Sequence, residues 1–246
     1  MQVVILAGGL GTRLRPVTRT VPKPMVPVAG RPFLERQVEF LAAQGFRRFL
    51  MLTGYLGEQI EAHFGDGSGM GVAMHYAREE EPLGTGGGLR RSLPDLEERF
   101  LLIYGDSFLP EDYRIICGKL QAGEAEGVMV VYDDRAGDTS VQPNVALGPS
   151  GKVTCYQKGT DDGELHFIEA GVVALRSAAV ARLPEAGPVA LERELYPELA
   201  RQGLLEAFVT EKQFFDMGTP AGLERAERYF RGRDHGPTGQ GEARTS

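Results

Sequence analysis

The sequence has few residues that could form a disulfide framework or hold a structural metal. Only two of its 246 residues are cysteine and four are histidine. Cys117 and Cys155 are far apart and form no CxxC pair, and the histidines show no metal-ligand spacing. This composition argues against a disulfide scaffold or a zinc site and favours a reducing, cytoplasmic compartment.

Long hydrophobic runs are lacking as well. No stretch approaches the roughly 18 apolar residues of a membrane helix, and no basic segment precedes the first apolar run. With 42% hydrophobic and 25% charged residues, the chain is in the range of globular domains. Its net charge of −7 argues against nucleic-acid binding, which needs a basic surface. The composition therefore predicts a cytoplasmic protein with neither a nucleic-acid nor a membrane partner.

Carboxylates are missing from residues 3 to 30, although the chain as a whole is acidic. This stretch carries Arg13, Arg15, Arg19 and Lys23, and the first acidic side chain is Glu35. A local excess of positive charge suits a small anionic partner, since charge-assisted hydrogen bonds to phosphate are about twice as strong as neutral ones. The cluster therefore predicts a site for a phosphate compound. Prolines on both sides of Lys23 predict an extended backbone at the lysine.

Short apolar runs such as "VVIL" and "FLLIYGD" alternate with amphipathic segments through the first half of the chain. Alternating strands and helices predict βαβ units and a mostly parallel sheet flanked by helices. After about residue 135, "NVALGPSGKVTCYQKG" predicts a hairpin that turns at "GPSG", and "HFIEAGVVAL" a further strand, in an α+β lobe. The predicted organisation is one domain over residues 1–230 and a disordered tail over 231–246.

Gly8, Gly9 and Gly11 follow the first apolar run directly. Glycine lets backbone N–H groups approach an anion, although a plain tight turn would also use it. A dinucleotide fingerprint would need a glycine where Leu14 stands, and no Gly-Lys-Ser or Gly-Lys-Thr completes a P-loop. Both of these named phosphate loops are disfavoured.

The segments "LAGGLGTRLRPVTRTVPKPMVPVAGRPFLE" and "EEEPLGTGG" together carry a family resemblance. They resemble the signature of the sugar-1-phosphate nucleotidyltransferases, and within that family the heptose 1-phosphate guanylyltransferases. The resemblance covers residues 2 to about 230. It implies a Rossmann-like mixed sheet with a sugar-binding side, and a reaction between a nucleoside triphosphate and a sugar 1-phosphate that releases pyrophosphate with Mg²⁺ as cofactor. It allows a homo-oligomer and implies nucleotide-sugar supply for lipopolysaccharide or another cell-surface polysaccharide.

Individual site residues follow from the resemblance. The expected catalytic residues are Arg13, Lys23 and Asp106, and the expected metal ligands are Asp106 and Asp216. Lys158, Glu169, Gly105 and Gly171 are expected to bind the sugar phosphate, and the full nucleotide-binding set is Leu6, Ala7, Gly8, Gly9, Gly11, Thr12, Arg13, Lys23, Glu79, Gly84, Thr85 and Asp106. The sequence departs from the pattern at Gln157, where many relatives have Glu, and at Glu169, where relatives often have Asn.

A purely structural role without a ligand is the alternative for several of these residues. Asp106 in "GDS" could simply open a turn, "PLGTGGG" could be a strand-to-helix connection, and the acids of "EEEP" could be solvated. Guanine is the favoured base because a carboxylate such as Glu79 can accept from its two neighbouring donors. Uridylyl, thymidylyl or cytidylyl transfer to another sugar is the alternative. Rival functions are a nucleotide-sugar-binding module without turnover and an NAD-dependent oxidoreductase.

Overall fold

The computed structural model describes residues 1–133, 141–159 and 165–234. Its strands, in chain order, are β1 (Gln2–Ala7), β2 (Pro27–Val28), β3 (Arg31–Pro32), β4 (Arg48–Thr53), β5 (Ala73–Arg78), β6 (Arg99–Tyr104), β7 (Ser107–Phe108), β8 (Gly127–Asp133), β9 (Val145–Leu147), β10 (Val153–Tyr156), β11 (Phe167–Arg176), β12 (Leu205–Thr210) and β13 (Phe215–Asp216). The α-helices are α1 (Phe33–Ala43), α2 (Gly57–Phe64), α3 (Gly84–Arg91), α4 (Tyr113–Ala122), α5 (Ser177–Val180), α6 (Leu191–Arg201) and α7 (Pro220–Asp234).

Nine of the strands form one mixed sheet. Strands β5, β4, β1 and β6 are parallel neighbours, and β11 runs antiparallel beside β6. On its other side β11 pairs with β8, which pairs in parallel with β12, while β9 and β10 extend the sheet from one end of β11. The mostly parallel sheet predicted from the sequence is confirmed, and the α+β half of the chain is continuous with it.

Helices cover both faces of the sheet because its strands are apolar on both sides. Val3 and Ile5 pack on one face with side chains of α1, α2 and α4. Val4 and Leu102 pack on the other face with side chains of α3, α5 and α6. This alternation follows from the period of two along a strand.

A third, smaller apolar cluster lies outside the sheet. Phe33 of α1, Phe108 of β7 and Phe230 of α7 pack edge to face with ring centroids 4.8 to 6.4 Å apart. Arg36 of α1 adds hydrogen bonds to Asp234 at the end of α7, at 2.7 and 3.2 Å. The cluster fixes α7 and the short ribbon β7–β13 against α1.

The hairpin predicted after residue 135 is present, because β9 and β10 pair and the amide of Gly151 donates to the carbonyl of Gly148 at 3.0 Å. The strand predicted from "HFIEAGVVAL" is β11. Residues 231–234, assigned to the tail from the sequence, instead form the last turn of α7, because Asp234 pairs with Arg36 there. The rest of the expected tail lies outside the described residues. Within the described ranges, no helix is long and apolar enough to cross a membrane.

Candidate active site

Two clefts open at the carboxyl ends of the parallel strands and meet beyond β6. The first, of about 320 Å³, is lined by residues that follow β1, β5 and β6, among them Gly8, Gly9, Glu79 and Asp106. The second, of about 340 Å³, is lined by Arg13, Asn144, Glu169, Gly171 and Asp216, with others. Tyr104, Asp106 and Lys158 line both clefts. Molecules bound in the two clefts would therefore meet at these three residues.

The glycine loop after β1 forms part of the wall of the first cleft. Gly11 has a φ of +60°, and a Cβ there would lie 2.9 Å from the Thr18 side chain, so larger residues are excluded. Apart from Gly9 itself and its two chain neighbours, no described residue has an atom within 4 Å of a Cβ built at Gly9. The backbone at Gly9 is therefore open to a ligand, whereas Gly11 is needed to shape the turn.

Lys23 reaches into the junction of the clefts and forms an ion pair with the carboxylate of Asp106. Its side chain is only 10% exposed. The prediction of an extended backbone at Lys23 is wrong. Residues Lys23–Met25 form a 3₁₀ turn, because Met25 N donates to Pro22 O at 2.8 Å and Val26 N to Lys23 O at 3.2 Å.

Asp106 and Asp216 are brought together by the ribbon β7–β13. In this ribbon Asp216 pairs with Ser107, and the amide of Met217 donates to the Asp106 carbonyl at 2.9 Å. Burial and the neighbouring charge of Asp106 raise the pKa of Asp216. The ribbon thus places two carboxylates side by side, where a cation or a proton would relieve their repulsion.

Arg13 lies beside Asp216. A Cβ built at Gly218 would be 2.8 Å from a guanidinium nitrogen of Arg13 and 2.8 Å from Asp216 Oδ1. Arg13 therefore lines the second cleft, and neither it nor its neighbours Gly11 and Thr12 line the first.

Glu79, Gly84 and Thr85 all line the first cleft, where the nucleotide was expected. One carboxylate oxygen of Glu79 accepts from the amide of Leu83 at 3.1 Å, and burial raises the pKa of Glu79. The Thr85 hydroxyl donates to Glu192 at 2.7 Å and accepts from the amide of Leu191 at 3.0 Å. This hydroxyl connects the start of α3 to the start of α6.

Glu169 is the most buried acid of the second cleft. Its Oε2 accepts from Tyr156 at 2.6 Å, and its Oε1 has no hydrogen-bond partner in the part of the chain that the structure describes. Burial raises its pKa to about 7, while the positive charge of Lys158 acts in the opposite direction. Gly171, with a φ of +73°, passes close to Ser107, where a Cβ would come within 2.7 Å.

Among the residues that sequence reasoning missed are Tyr104, Asn144 and Glu192, which line the clefts, and Gln37, whose side chain donates to the carbonyls of Tyr104 and Ser107. Glu192 accepts from Tyr104 at 3.3 Å and lies 3.6 Å from Lys158. Asn144 accepts from the amide of Glu169 at 2.9 Å. Glu192 is one of several acids on α6 and Asn144 is on a short segment, so no pattern marks either one. Gln37 could have been found, because it is a polar residue at a position where α1 should be apolar.

Most of the predicted site residues meet at these two clefts. Gly105 lines neither cleft, but its amide donates to Leu6 O at 2.9 Å, and a Cβ there would lie 2.7 Å from the same carbonyl. Its role is to bring β6 close to β1 just before Asp106.

Comparison with known proteins gives the family of the chain. The family model described as "Nucleotidyl transferase" matches residues 2–139. Mannose-1-phosphate guanylyltransferase of Mycobacterium tuberculosis is 33% identical over 228 residues, which are 92% of this chain and 63% of that protein. The chain thus spans less than two thirds of that relative's length.

Other relatives match along nearly their whole length. D-glycero-alpha-D-manno-heptose 1-phosphate guanylyltransferase of Aneurinibacillus thermoaerophilus is 26% identical over 243 residues, covering 93% of this chain and 97% of that protein. The crystal structure of HddC from Yersinia pseudotuberculosis, also solved in complex with GMP-PN, superposes with a TM-score of 0.77 at 28% identity, over 93% of this chain and 99% of that one. Because the family model matches more than half of its residues, the chain belongs to the nucleotidyl transferase family.

Proposed function

We propose that the protein transfers a nucleoside monophosphate from a nucleoside triphosphate to a sugar 1-phosphate, giving a nucleoside diphosphate sugar and pyrophosphate. The observation that carries this proposal is the junction of two clefts at Asp106, Tyr104 and Lys158. A transfer between two bound substrates needs two adjacent subsites, and a junction where the reacting groups can meet. Relatives named as mannose and heptose 1-phosphate guanylyltransferases support the same assignment.

In the proposed reaction, a phosphate oxygen of the sugar 1-phosphate attacks the α-phosphorus. A new P–O bond forms, and the bond to the bridging oxygen of the pyrophosphate breaks. Both reactants are anions, so the protein should act by positioning and charge neutralisation. Lys23 would contact the reacting phosphates, Lys158 would hold the sugar phosphate, and the open backbone at Gly9 would face the triphosphate. Arg13 would bind phosphate oxygens from the side of the second cleft.

A divalent metal ion fits the two aspartates, and enzymes of this kind generally use one. Burial and the neighbouring charge of Asp106 raise the pKa of Asp216, so a cation bound between the two carboxylates would stabilise their charged forms. No group of three or more acidic, histidine or cysteine ligands occurs in the described ranges, which suits Mg²⁺ because it takes one or two carboxylates and completes its shell with phosphate oxygens and water. Asp106 and Asp216 would hold Mg²⁺, which neutralises charge on the transferred phosphate when bound.

Guanine is the proposed base, with Glu79 as the residue that reads it. Several relatives carry guanylyltransferase names, and a structural neighbour was solved with GMP-PN. The uridylyltransferase of Synechocystis, 27% identical over 218 residues, keeps uracil as the alternative. Glu79→Gln should weaken GTP use selectively. If activity with all four triphosphates falls equally, or does not fall at all, Glu79 does not read the base, and its role is the hydrogen bond with the amide of Leu83.

The sugar is proposed to be a heptose or a hexose, and the product to supply a cell-surface polysaccharide such as lipopolysaccharide. A cytoplasmic location is part of the proposal, and it is supported by Cys117 and Cys155, which are both free.

The experiment that tests the function is a screen of four nucleoside triphosphates against a panel of hexose and heptose 1-phosphates, read by pyrophosphate release. The expected result is turnover with GTP and one sugar 1-phosphate in the presence of Mg²⁺. Asp106→Asn serves as the inactive control. Binding of both substrates without pyrophosphate release from any pair would identify a binding module instead.

A further inference from the structure

Gln37 is a buried polar side chain on the inward face of α1. It is only 1% exposed and lies one turn from Phe33 and one turn from Leu41, both fully buried. Its amide nitrogen donates to the carbonyl of Tyr104 at 3.1 Å and to the carbonyl of Ser107 at 2.6 Å. Gln37 therefore connects α1 to the backbone at the carboxyl end of β6.

The two carbonyls bonded by Gln37 lie on either side of Gly105 and Asp106. Within this turn, the amide of Gly105 donates to Leu6 O, and Asp106 O accepts from Met217 at 2.9 Å. Of the described residues, Gln37 is the one whose side chain donates to both carbonyls that bracket the turn. The Asp106 backbone is thus held by β1, by the segment after β13 and by Gln37.

The hydrogen bonding of Gln37 is one-sided. Its Oε1 is buried and has no partner among the described residues. A buried polar atom without a partner is unfavourable by roughly 1 to 3 kcal/mol. An apolar side chain would avoid this unfavourable term while filling the same space in the core. The two donated bonds to the turn are what glutamine supplies and an apolar residue cannot.

We propose that Gln37 is a positioning residue, which fixes the Gly105–Asp106 turn so that the Asp106 carboxylate pairs with Lys23 and would be able to hold the proposed metal ion. This inference rests on the proposed function. Residues that orient metal ligands commonly change metal affinity or activity by about 10- to 100-fold when they are replaced.

The test compares Gln37→Met with Gln44→Met. Gln44 directly follows α1 and also makes two side-chain hydrogen bonds to backbone groups, to Glu111 O at 2.9 Å and from Tyr113 N at 2.8 Å. Its bonds hold the start of α4 and not the Asp106 turn. Gln44→Met therefore removes the same number of side-chain hydrogen bonds next to the same helix, and it leaves the Asp106 turn unchanged.

Two quantities are measured in wild type and both variants. The first is Mn²⁺ binding, followed by electron paramagnetic resonance in the presence of a non-hydrolysable GTP analogue. The second is kcat for pyrophosphate release, with KM for each substrate. For Gln37→Met we expect Mn²⁺ affinity and kcat each to fall at least about tenfold, with both KM values within about threefold of wild type. Gln44→Met should keep wild-type Mn²⁺ affinity and kcat.

Equal effects of the two substitutions on Mn²⁺ affinity and kcat would overturn the inference, because Gln37 would then be purely structural. If Gln37→Met does not fold, Gln37→Asn and Gln44→Asn are compared in the same way, since each substitution keeps the amide and shortens the side chain by one methylene. A wild-type protein without turnover would overturn the proposed function, and Mn²⁺ affinity alone would then decide on Gln37.

Discussion

At the scale of single residues, Lys23 is the cation that pairs with Asp106 in the first cleft. Its ion pair with Asp106 joins a side chain that is 10% exposed to one that is 27% exposed. Charges in a water-poor site stabilise a transition state strongly, so Lys23→Ala should lower kcat at least about 100-fold, or roughly 3 kcal/mol. Arg13→Ala should have a similar effect. The measurement is pyrophosphate release, with circular dichroism to confirm folding.

Lys119→Ala is the control for this prediction, because Lys119 pairs with Glu206 at 2.9 Å away from the site. It should change kcat by less than about twofold, because this ion pair lies outside both clefts and contributes only 0 to about 1 kcal/mol to stability. A folded Lys23→Ala protein with wild-type kcat would remove Lys23 from the reaction.

Glu169 should make the protein less stable as the pH rises. Burial raises its pKa from 4.5 to about 7, so the folded protein holds a proton that the unfolded chain releases. The stabilisation is complete below pH 4.5 and is lost as the pH rises through 7. Between pH 5 and pH 8, the free energy of unfolding of Glu169→Gln should therefore fall by about 2 kcal/mol less than that of the wild type.

Urea unfolding of wild type and Glu169→Gln at several pH values measures this difference. The pKa values of Glu79 and Asp216 are also raised, and both residues remain in the variant, so their contributions cancel. Parallel stability curves for the two proteins would show that Glu169 titrates normally in the folded state.

At the scale of elements, the start of α3 depends on close contact with the segment before α6. Gly84 has a φ of +75°, and a Cβ there would lie 2.5 Å from Val189 O. Gly187 has a φ of +86°, but apart from its two chain neighbours no other described residue has an atom within 4 Å of its Cβ position. Alanine at either position meets the same backbone strain of about 1 kcal/mol or more, and Gly84→Ala adds overpacking of about 1 to 3 kcal/mol.

Gly84→Ala should therefore lower the free energy of unfolding more than Gly187→Ala, and it should raise KM for the triphosphate because Gly84 lines the first cleft. Urea unfolding and initial-rate kinetics measure the two effects. Equal destabilisation by both substitutions would mean that the backbone at Val189 moves away from the new Cβ at no cost in stability.

The elements that the sequence predicts are those with a local signal. The buried strands β1 and β6, the hairpin β9–β10 and the amphipathic helix α1 are visible as apolar runs, turn residues and helical spacing. The two-residue strands β7 and β13 carry no such signal, since their pairing joins segments about a hundred residues apart. The family resemblance nevertheless predicts that Asp106 and Asp216 meet at one Mg²⁺, and the fold adds the pairing of β7 with β13 that brings them together, which no local signal shows.

At the scale of the whole molecule, the two clefts draw on different parts of the sheet and share the end of β6. The parallel strands β1, β4, β5 and β6 end at the first cleft, and β11 contributes Glu169 and Gly171 to the second. Helix α7 holds β13 near α1, because it packs on β13 and is bonded to α1 through Arg36 and Asp234. The site is therefore assembled from both ends of the described chain.

Asp106 and Asp216 test this assembly, since they come from distant parts of the chain and should act as one unit. Asp106→Asn and Asp216→Asn each keep the size of the side chain and remove its charge. Each variant should lose at least about 90% of its activity at low Mg²⁺, a loss of roughly 1.4 kcal/mol or more. The double variant should lose little more than the worse single one, because residues that share one ion are not additive.

This coupling is determined from initial rates over a Mg²⁺ titration. Asp66→Asn, at an exposed position, is the control for the loss of one negative charge. Asp66 accepts from the amide of Ser68 at 2.9 Å, away from both clefts, so its substitution should leave the Mg²⁺ dependence unchanged. Losses that simply add in the double variant would mean two independent roles. A ligand-bound structure should place both carboxylates about 2.1 Å from one Mg²⁺, and a separation of more than about 8 Å between them would exclude a shared ion, because two direct ligands cannot span that distance.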